Sequence, residues 1–519
     1  MTAKKAVVIG TGAGGLTATA YLAQQGFEVQ ALERAKQLGG FLNPFKRKRY
    51  SFDPGVHYVG QAHPGGQMHR VLRRFDIDAS ELFCEMDPTG FDVFRFPDFE
   101  LRVPKGLDLF RERVLEAFPN DADQIVPFFR SLSALRALMC DRGATMERAR
   151  ALPIAASWYF KTYADVLKSS FRNPKIRSVM AAQCGDYGLP PSRTPAVLGA
   201  GLMLHFIDGS YFPRGGSGAL RDALVGRARE YGAQLQRRAE VARIEVQRGK
   251  VTGVTLTNGE RIEADVVVSA IDPKLTYGSL IDAEHLPAKI RRKAEATVPS
   301  VASLCVFLGM ERDLRQYGLG AFNVWDYPSW EVEGAFGPAA QGSWPKDHAF
   351  FLSPNSIKDD TGTMAPPGCS TLEVVTLAPF SPFAKWADGK VLKRGAEYEA
   401  YKGQVADDLM AAVERRWPGL VGDVAVKDVA TPLTNQHFAG SVEGAVYGPM
   451  ATPEQFGHRA FRAKGPIDGL FHAGAGVLGP GVVPCLVSGV VAAKQAVAAY
   501  KPRRFGRLTG FAQRAKLGA

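Results

Sequence analysis

Lys5-Ala6-Val7-Val8-Ile9-Gly10-Thr11-Gly12-Ala13-Gly14-Gly15-Leu16 is an apolar run that breaks into a glycine-rich turn and resumes as a helical pattern. The periodicity predicts a strand over Lys5 to Ile9, a helix from Leu16 to Gln25 stopped by Gly26, and a second strand from Glu28 to Glu33. That is a βαβ unit with G-x-G-x-x-G at its first turn and an acid, Glu33, 18 residues beyond the last glycine. Each part has a physical task. Gly10 permits the tight turn, Gly12 lets backbone approach a pyrophosphate, and Gly15 lets helix pack on strand, while the helix N-terminus favours an anion. Glu33 is placed to accept hydrogen bonds from an adenosine ribose. A packing turn without a nucleotide is the competing reading, and the strand, helix and acid together favour a dinucleotide.

Working outward, the 519 residues are 46% hydrophobic and 22% charged, which excludes a disordered or collagen-like chain and suggests roughly three domain-sized units. Sixty-four Lys and Arg against 52 Asp and Glu give a net +12. From Gly469 onward there are seven basic residues and no acidic ones, so the excess is concentrated near the C-terminus. Nucleic-acid binding is set aside, because no recognition-module signature accompanies the basic residues. The six cysteines form no C-x-x-C pair, and neither Cys nor His clusters have zinc spacing; His57, His63 and His69 fall on different faces of a helix, so no metal is expected. Reduced thiols and the absence of a signal-peptide core predict a cytoplasmic protein.

Gly469 to Ala493 carries no Asp, Glu, Lys or Arg over 25 residues, long enough to span a bilayer. Six glycines with Pro480 and Pro484 argue instead for a buried strand at Leu470 to Ala473, a glycine turn, and a helix from about Pro484. Elsewhere the patterns predict helices across Leu107 to Arg150, an uncharged helix within Thr194 to Ile207, and a helix over Gly218 to Tyr231. Strands follow at Gln234 to Arg237, Val241 to Gln247, Val251 to Leu256 and Ala264 to Ser269, with Asn258-Gly259 as a tight turn.

Glu33-Arg34-Ala35-Lys36-Gln37-Leu38-Gly39-Gly40 resembles the extended fingerprint of FAD enzymes, in which a glycine pair closes over the cofactor, so FAD is favoured over NAD. Tyr211-Phe212-Pro213-Arg214-Gly215-Gly216, Phe52-Asp53-Pro54-Gly55-Val56-His57-Tyr58-Val59-Gly60, Ser356-Ile357-Lys358-Asp359-Asp360-Thr361 and Thr431-Pro432-Leu433-Thr434-Asn435-Gln436 extend the likeness over almost the whole chain. The sequence resembles the flavoprotein superfamily of phytoene desaturase, carotenoid isomerase and retinol saturase, and is most similar to the retinol saturase branch. It departs from that branch near the end. Gly474-Ala475-Gly476 followed by Gly479-Pro480-Gly481 stands where retinol saturases carry Gly-Gln-Asp, and backbone amides then replace the lost acidic contact.

The resemblance implies an α/β fold: a Rossmann-like FAD-binding domain split in sequence (1–106, 211–300 and 441–500) with an inserted α+β substrate-binding domain. Residues 107–210 form its helical, substrate- or membrane-facing part and 301–440 its sheet, with 501–519 a basic tail. The implied FAD contacts are Gly10, Gly12, Gly14, Gly15, Glu33, Arg34, Gly39, Gly40, Gly55, Val56, Val241, Gly474, Gly481, Val482 and Val483. His57 and Tyr58 lie near the flavin in this pattern and either can move a proton. A hairpin aromatic and a hydrogen-bonded imidazole remain the favoured reading of the pair, so the catalytic residues stay unassigned.

The expected substrate is an apolar isoprenoid or polyene, a carotenoid or retinoid, held in an oily tunnel ending at the flavin. Saturation, desaturation and redox-neutral cis-trans isomerisation are all compatible, and so are a flavin amine oxidase and a prenyl-binding chaperone. With one dinucleotide fingerprint in the chain, a separate electron donor or acceptor is expected. Phe505, Leu508 and Phe511 fall at helical spacing among basic residues, a pattern suited to peripheral docking on the inner face of a membrane as much as to a solvated tail.

Overall fold

The computed structural model describes residues 3–139 and 145–500. At its centre lies a five-stranded parallel sheet of β1 (Lys5–Ile9), β2 (Glu28–Glu33), β3 (Gln234–Arg237), β4 (Val266–Ser269) and β5 (Leu470–His472), in the order β3-β2-β1-β4-β5. Strands so placed are buried on both faces, which is why β1 and β4 read as unbroken apolar runs. The period of two divides them. Ala6, Val8, Ala31, Val266 and Val268 face helices α1 (Ala13–Gln24), α2 (Gly218–Glu230) and α3 (Val482–Tyr500). Val7, Ile9, Leu32 and Val267 face the antiparallel sheet Val241–Gln247, Lys250–Leu256 and Arg261–Glu263. The α1 helix touches both α2 and α3 and is buried from Gly14 to Ala23.

The uncharged C-terminal segment folds as expected: strand, glycine turn, helix. By length and composition α3 is long and apolar enough to cross a membrane. Here it lies along α1, where a Cβ on Gly489 would meet the Gly14 carbonyl oxygen at 2.3 Å. The Tyr500 hydroxyl donates to the Asp265 carbonyl at 2.7 Å and fastens its end.

A seven-stranded sheet forms the second layer, in the order Val424–Ala430, Ala302–Met310, Ser370–Ala378, Phe350–Ser353, Asn323–Asp326, Asp92–Phe96, Phe99–Val103. All its pairings are antiparallel except Asn323–Asp326 with Asp92–Phe96. One face (Leu304, Val306, Val324, Leu352, Val374) packs on the helix Ala396–Arg416. On the other, Trp325 pairs with Phe351, Phe351 with Val375, and Val375 with Cys305, making one cross-strand row. Helices between Leu107 and Phe206 pack into an aromatic-rich core beside this face. The helix inside Thr194 to Ile207 spans Ala196–Phe206. Of the cysteines, Cys84, Cys184 and Cys305 are buried free thiols.

Candidate functional site

Three glycine segments from distant parts of the chain meet above the C-terminal end of β1. A Cβ on Gly14 would lie 2.9 Å from the Gly474 amide nitrogen, and one on Gly40 3.3 Å from the Gly12 Cα. Gly15 is closed against its own turn, since a Cβ there would stand 1.9 Å from the Gly10 carbonyl oxygen. Gly12 is the opposite case: nothing lies within 4 Å of a Cβ built on it, and it lines a cavity of about 610 Å³. As the N-cap of α1, Gly12 has no side chain to satisfy the first-turn N–H groups, which therefore suit an anion. Glu33 is fixed at the cavity wall. Its Oε2 accepts from the Thr11 amide (3.0 Å) and hydroxyl (2.7 Å), and its Oε1 accepts from the Ala35 amide (3.0 Å). An open glycine cradle, an uncapped helix end and a held carboxylate fit the pyrophosphate and ribose of a dinucleotide.

Gly10, Gly12, Gly14, Glu33, Arg34, Gly39, Gly40, Gly55, Val56, His57, Val241, Gly474, Gly481 and Val482 all line this one cavity. The Arg34 guanidinium is already engaged by the Gln436 and His437 carbonyls (3.0 and 2.7 Å), so it bridges to the helix Pro432–Ala439. Two of the implied cofactor contacts, Gly15 and Val483, and the catalytic candidate Tyr58 are not among the residues lining this cavity. Gly15 serves helix-on-strand packing, Val483 is buried in the core with Leu486, and Tyr58 is buried in the interior against Phe206. Tyr58 is held there by stacking on Phe206 and by its hydroxyl contacts with Asp92 and Asp186.

The cavity continues past the glycine cradle onto the face of the seven-stranded sheet, lined there by Trp325, Tyr327, Phe336, Phe351, Val375 and Leu377. Trp325 and Phe351 have ring centroids 4.5 Å apart. The sequence motifs shared with the resembled family knit this junction together. Asp53 accepts from the Ser217 hydroxyl (2.7 Å) and amide, and Asp359 accepts from the Gly215 amide (2.9 Å). Arg214 pairs with Asp360 at 2.8 Å. Burial pushes the Asp53 carboxyl up to about 7 against the hydrogen bonds from Ser217.

Behind the wall is a buried polar network. His57 Nδ1 sits 2.9 Å from Oε2 of Glu373, whose side chain is fully buried; neither atom has a partner with hydrogen-bonding geometry. Lys358 Nζ donates to the His57 carbonyl (2.6 Å), Asn323 Oδ1 (2.8 Å) and Ser353 Oγ (2.6 Å), and burial lowers its ammonium to about 7 despite Glu373, Asp92 and Asp53 nearby. Asn323 Nδ2 donates to Asp92 (3.1 Å), as do Gln183 Nε2 (2.7 Å) and the Tyr58 hydroxyl (3.0 Å). The Tyr58 oxygen also lies 2.5 Å from Asp186 Oδ2, and Asp186 lines the cavity. Asp186 escaped the sequence reading because Cys184-Gly185-Asp186-Tyr187 matches no motif.

Residues 13–335 match the model of the flavin containing amine oxidoreductase family. The chain is 26% identical over 501 residues to an all-trans-retinol 13,14-reductase of Danio rerio, covering 90% of this chain and 82% of that protein. It is 26% identical over 514 residues to a chloroplastic prolycopene isomerase of an Oncidium hybrid cultivar, covering 95% and 84%. Among solved structures, an oxidoreductase from Methanosarcina mazei superposes with a TM-score of 0.63 at 16% identity, over 94% of this chain and all of the other, a likeness of fold. The matched model spans more than half of the chain and carries FAD as its cofactor: this protein belongs to the flavin containing amine oxidoreductase family.

Proposed function

We propose that the protein is an FAD-dependent oxidoreductase acting on carbon-carbon bonds of an apolar polyene of the carotenoid or retinoid class, as a saturase or desaturase. The observation that carries this is the continuity of the cavity. The dinucleotide cradle at Gly10–Gly14 and the aromatic row Trp325–Phe351–Val375 are walls of one space. The names of the retinol reductase and prolycopene isomerase relatives support the same substrate class.

In this reading Gly10, Gly12, Gly14, Gly39, Gly40 and Gly474 cradle the diphosphate, Glu33 and Val241 hold the adenosine end, and Gly481 with Val482 present the N-terminus of α3 to the ring system. Bound FAD supplies hydride exchange with a substrate carbon. The chain's own task is to hold a chosen bond against that position and keep water out. Gly55, Val56 and His57 form the wall between cofactor and substrate regions, and the sheet row presses the chain of the substrate flat by dispersion and apolar burial. A delocalised polyene spreads developing charge, so few ionisable groups are needed. Electrons come from, or go to, a separate carrier.

Incubating flavin-loaded protein with phytoene, lycopene isomers and retinol under reducing and oxidising conditions tests this. A product heavier by two mass units indicates saturation, and one lighter by two indicates desaturation. An unchanged mass with altered chromatographic position indicates isomerisation, the second reading, which the prolycopene isomerase relatives favour. Hydrogen peroxide released with amines and no change in any polyene would refute the proposal in favour of an amine oxidase.

A further inference from the structure

We infer that Asp186 is the proton donor when the chain adds hydrogen to a double bond, a neutral carboxylic acid in the cavity wall held in place by Tyr58. The inference rests on the proposed polyene chemistry, taken in the direction of saturation.

Hydrogen-bond counting at Tyr58 carries it. The phenol has one proton, and two carboxyl groups lie within reach of its oxygen, Asp92 Oδ2 at 3.0 Å and Asp186 Oδ2 at 2.5 Å. Asp92 is supplied with donors, accepting also from Gln183 and Asn323, and is the natural place for the negative charge. Asp186 has the Tyr58 oxygen as its side-chain hydrogen-bond partner. If the phenol donates to Asp92, the remaining short contact closes only when Asp186 carries a proton and donates it to the phenol oxygen. The groups that face Asp186 agree: Tyr58, Cys184, Tyr187, Tyr327 and Tyr447 are neutral, and Asp92 is a like charge. Burial and Asp92 together hold the Asp186 carboxyl well above the usual carboxylate range; burial also raises Asp92, to about 6, against the hydrogen bonds from Gln183, Asn323 and Tyr58.

The Asp186 O–H bond breaks and a C–H bond forms at one carbon of a C=C. The neighbouring carbon takes hydride, whose electron pair is supplied by dihydroflavin kept reduced by the external donor. The Asp186 carboxylate then accepts a hydrogen bond from the Tyr58 hydroxyl and regains its proton from water when product leaves the cavity. Tyr58, stacked on Phe206 with centroids 4.1 Å apart, is fixed as a positioning residue.

The test uses flavin-loaded protein at pH 8. Infrared spectroscopy should show the carbonyl band of a protonated carboxylic acid that shifts in D2O and is absent from Asp186→Asn. That variant should keep its flavin absorbance and lose about 10² to 10⁴-fold in kcat for polyene reduction. In the wild type kcat should fall as pH rises through the carboxyl's raised range, a limb missing from the variant. Should Asp186→Asn fail to load flavin, Tyr58→Phe replaces it: kcat falls with KM unchanged, and the acid band persists at a shifted position. No acid band in the wild type, a band unaltered in Asp186→Asn, or a kcat within threefold of wild type overturns the inference while leaving the function intact. A wild type that reduces none of the polyenes overturns both.

Discussion

Gly12 and Gly15 stand three residues apart in one turn and answer to different constraints. A side chain at Gly12 meets no protein atom and projects into the cavity, so Gly12→Val should leave the thermal midpoint of the flavin-free protein within about 2 °C while abolishing flavin retention through gel filtration, a surface-scale effect on stability. A side chain at Gly15 meets the Gly10 carbonyl at 1.9 Å. Gly15→Ala should therefore cost about 1–3 kcal/mol in urea unfolding, the usual range for overpacking. His472 makes a second prediction at this scale. It is fully buried, its Nε2 is 2.7 Å from the Tyr277 hydroxyl, and burial lowers its imidazole from 6.5 to about 4. Between those pH values the unfolded chain binds a proton that the folded chain refuses. Stability is therefore intact above pH 6.5 and lost as pH falls toward 4, by about 3 kcal/mol when complete. Unfolding free energies at pH 7 and 4.5 should show this slope in the wild type and a shallower one in His472→Gln.

At the scale of elements, α3 passes every test for a spanning helix except its surroundings. Its small residues are docking positions: Gly489 is apposed to Gly14 and Thr17 of α1, and Ala492, Ala493 and Ala496 are buried against the same core. Gly489→Val should separate α3 from α1 and, since Gly481 and Val482 begin α3 at the cavity, release flavin and lower the unfolding midpoint together. Retention of flavin with a normal midpoint would contradict the docked helix. The basic tail with Phe505, Leu508 and Phe511, suited equally to membrane docking and to solvation, lies outside the described residues. In the sheet, alternation did what the sequence alone could not display, placing Trp325, Phe351, Val375 and Leu377 from three strands on one face.

Across the whole molecule, two layers share one cavity, so the cofactor and substrate regions can be perturbed separately. Leu377 lines the cavity from the seven-stranded sheet and is half-buried. Leu377→Glu places a charge in an apolar wall and should reduce polyene turnover at least tenfold with flavin content unchanged; conversion at the wild-type rate would show that the substrate lies elsewhere. Adding FAD to stripped protein should raise the unfolding free energy by about 2.7 kcal/mol at a hundredfold excess over Kd, read as one shifted transition.

Sequence alone determined the parallel sheet and its dinucleotide turn, because a strand buried on both faces, a glycine turn and an acid at the next strand end are local patterns with local causes. It gave β3 and the strand Val241–Gln247 with their observed limits, and the FAD cofactor followed from the fingerprint. Helix starts were less legible: α1 begins at Ala13 rather than Leu16, since glycines with low intrinsic propensity are held helical by α2 and α3 on either side. Only the tertiary structure decided that His57 faces the cavity against Glu373, that Tyr58 faces inward, and that Asp186 closes the wall 128 residues later in the chain. Those assignments depend on which buried groups are brought within hydrogen-bonding distance, and that proximity is a property of packed layers rather than of any stretch of sequence.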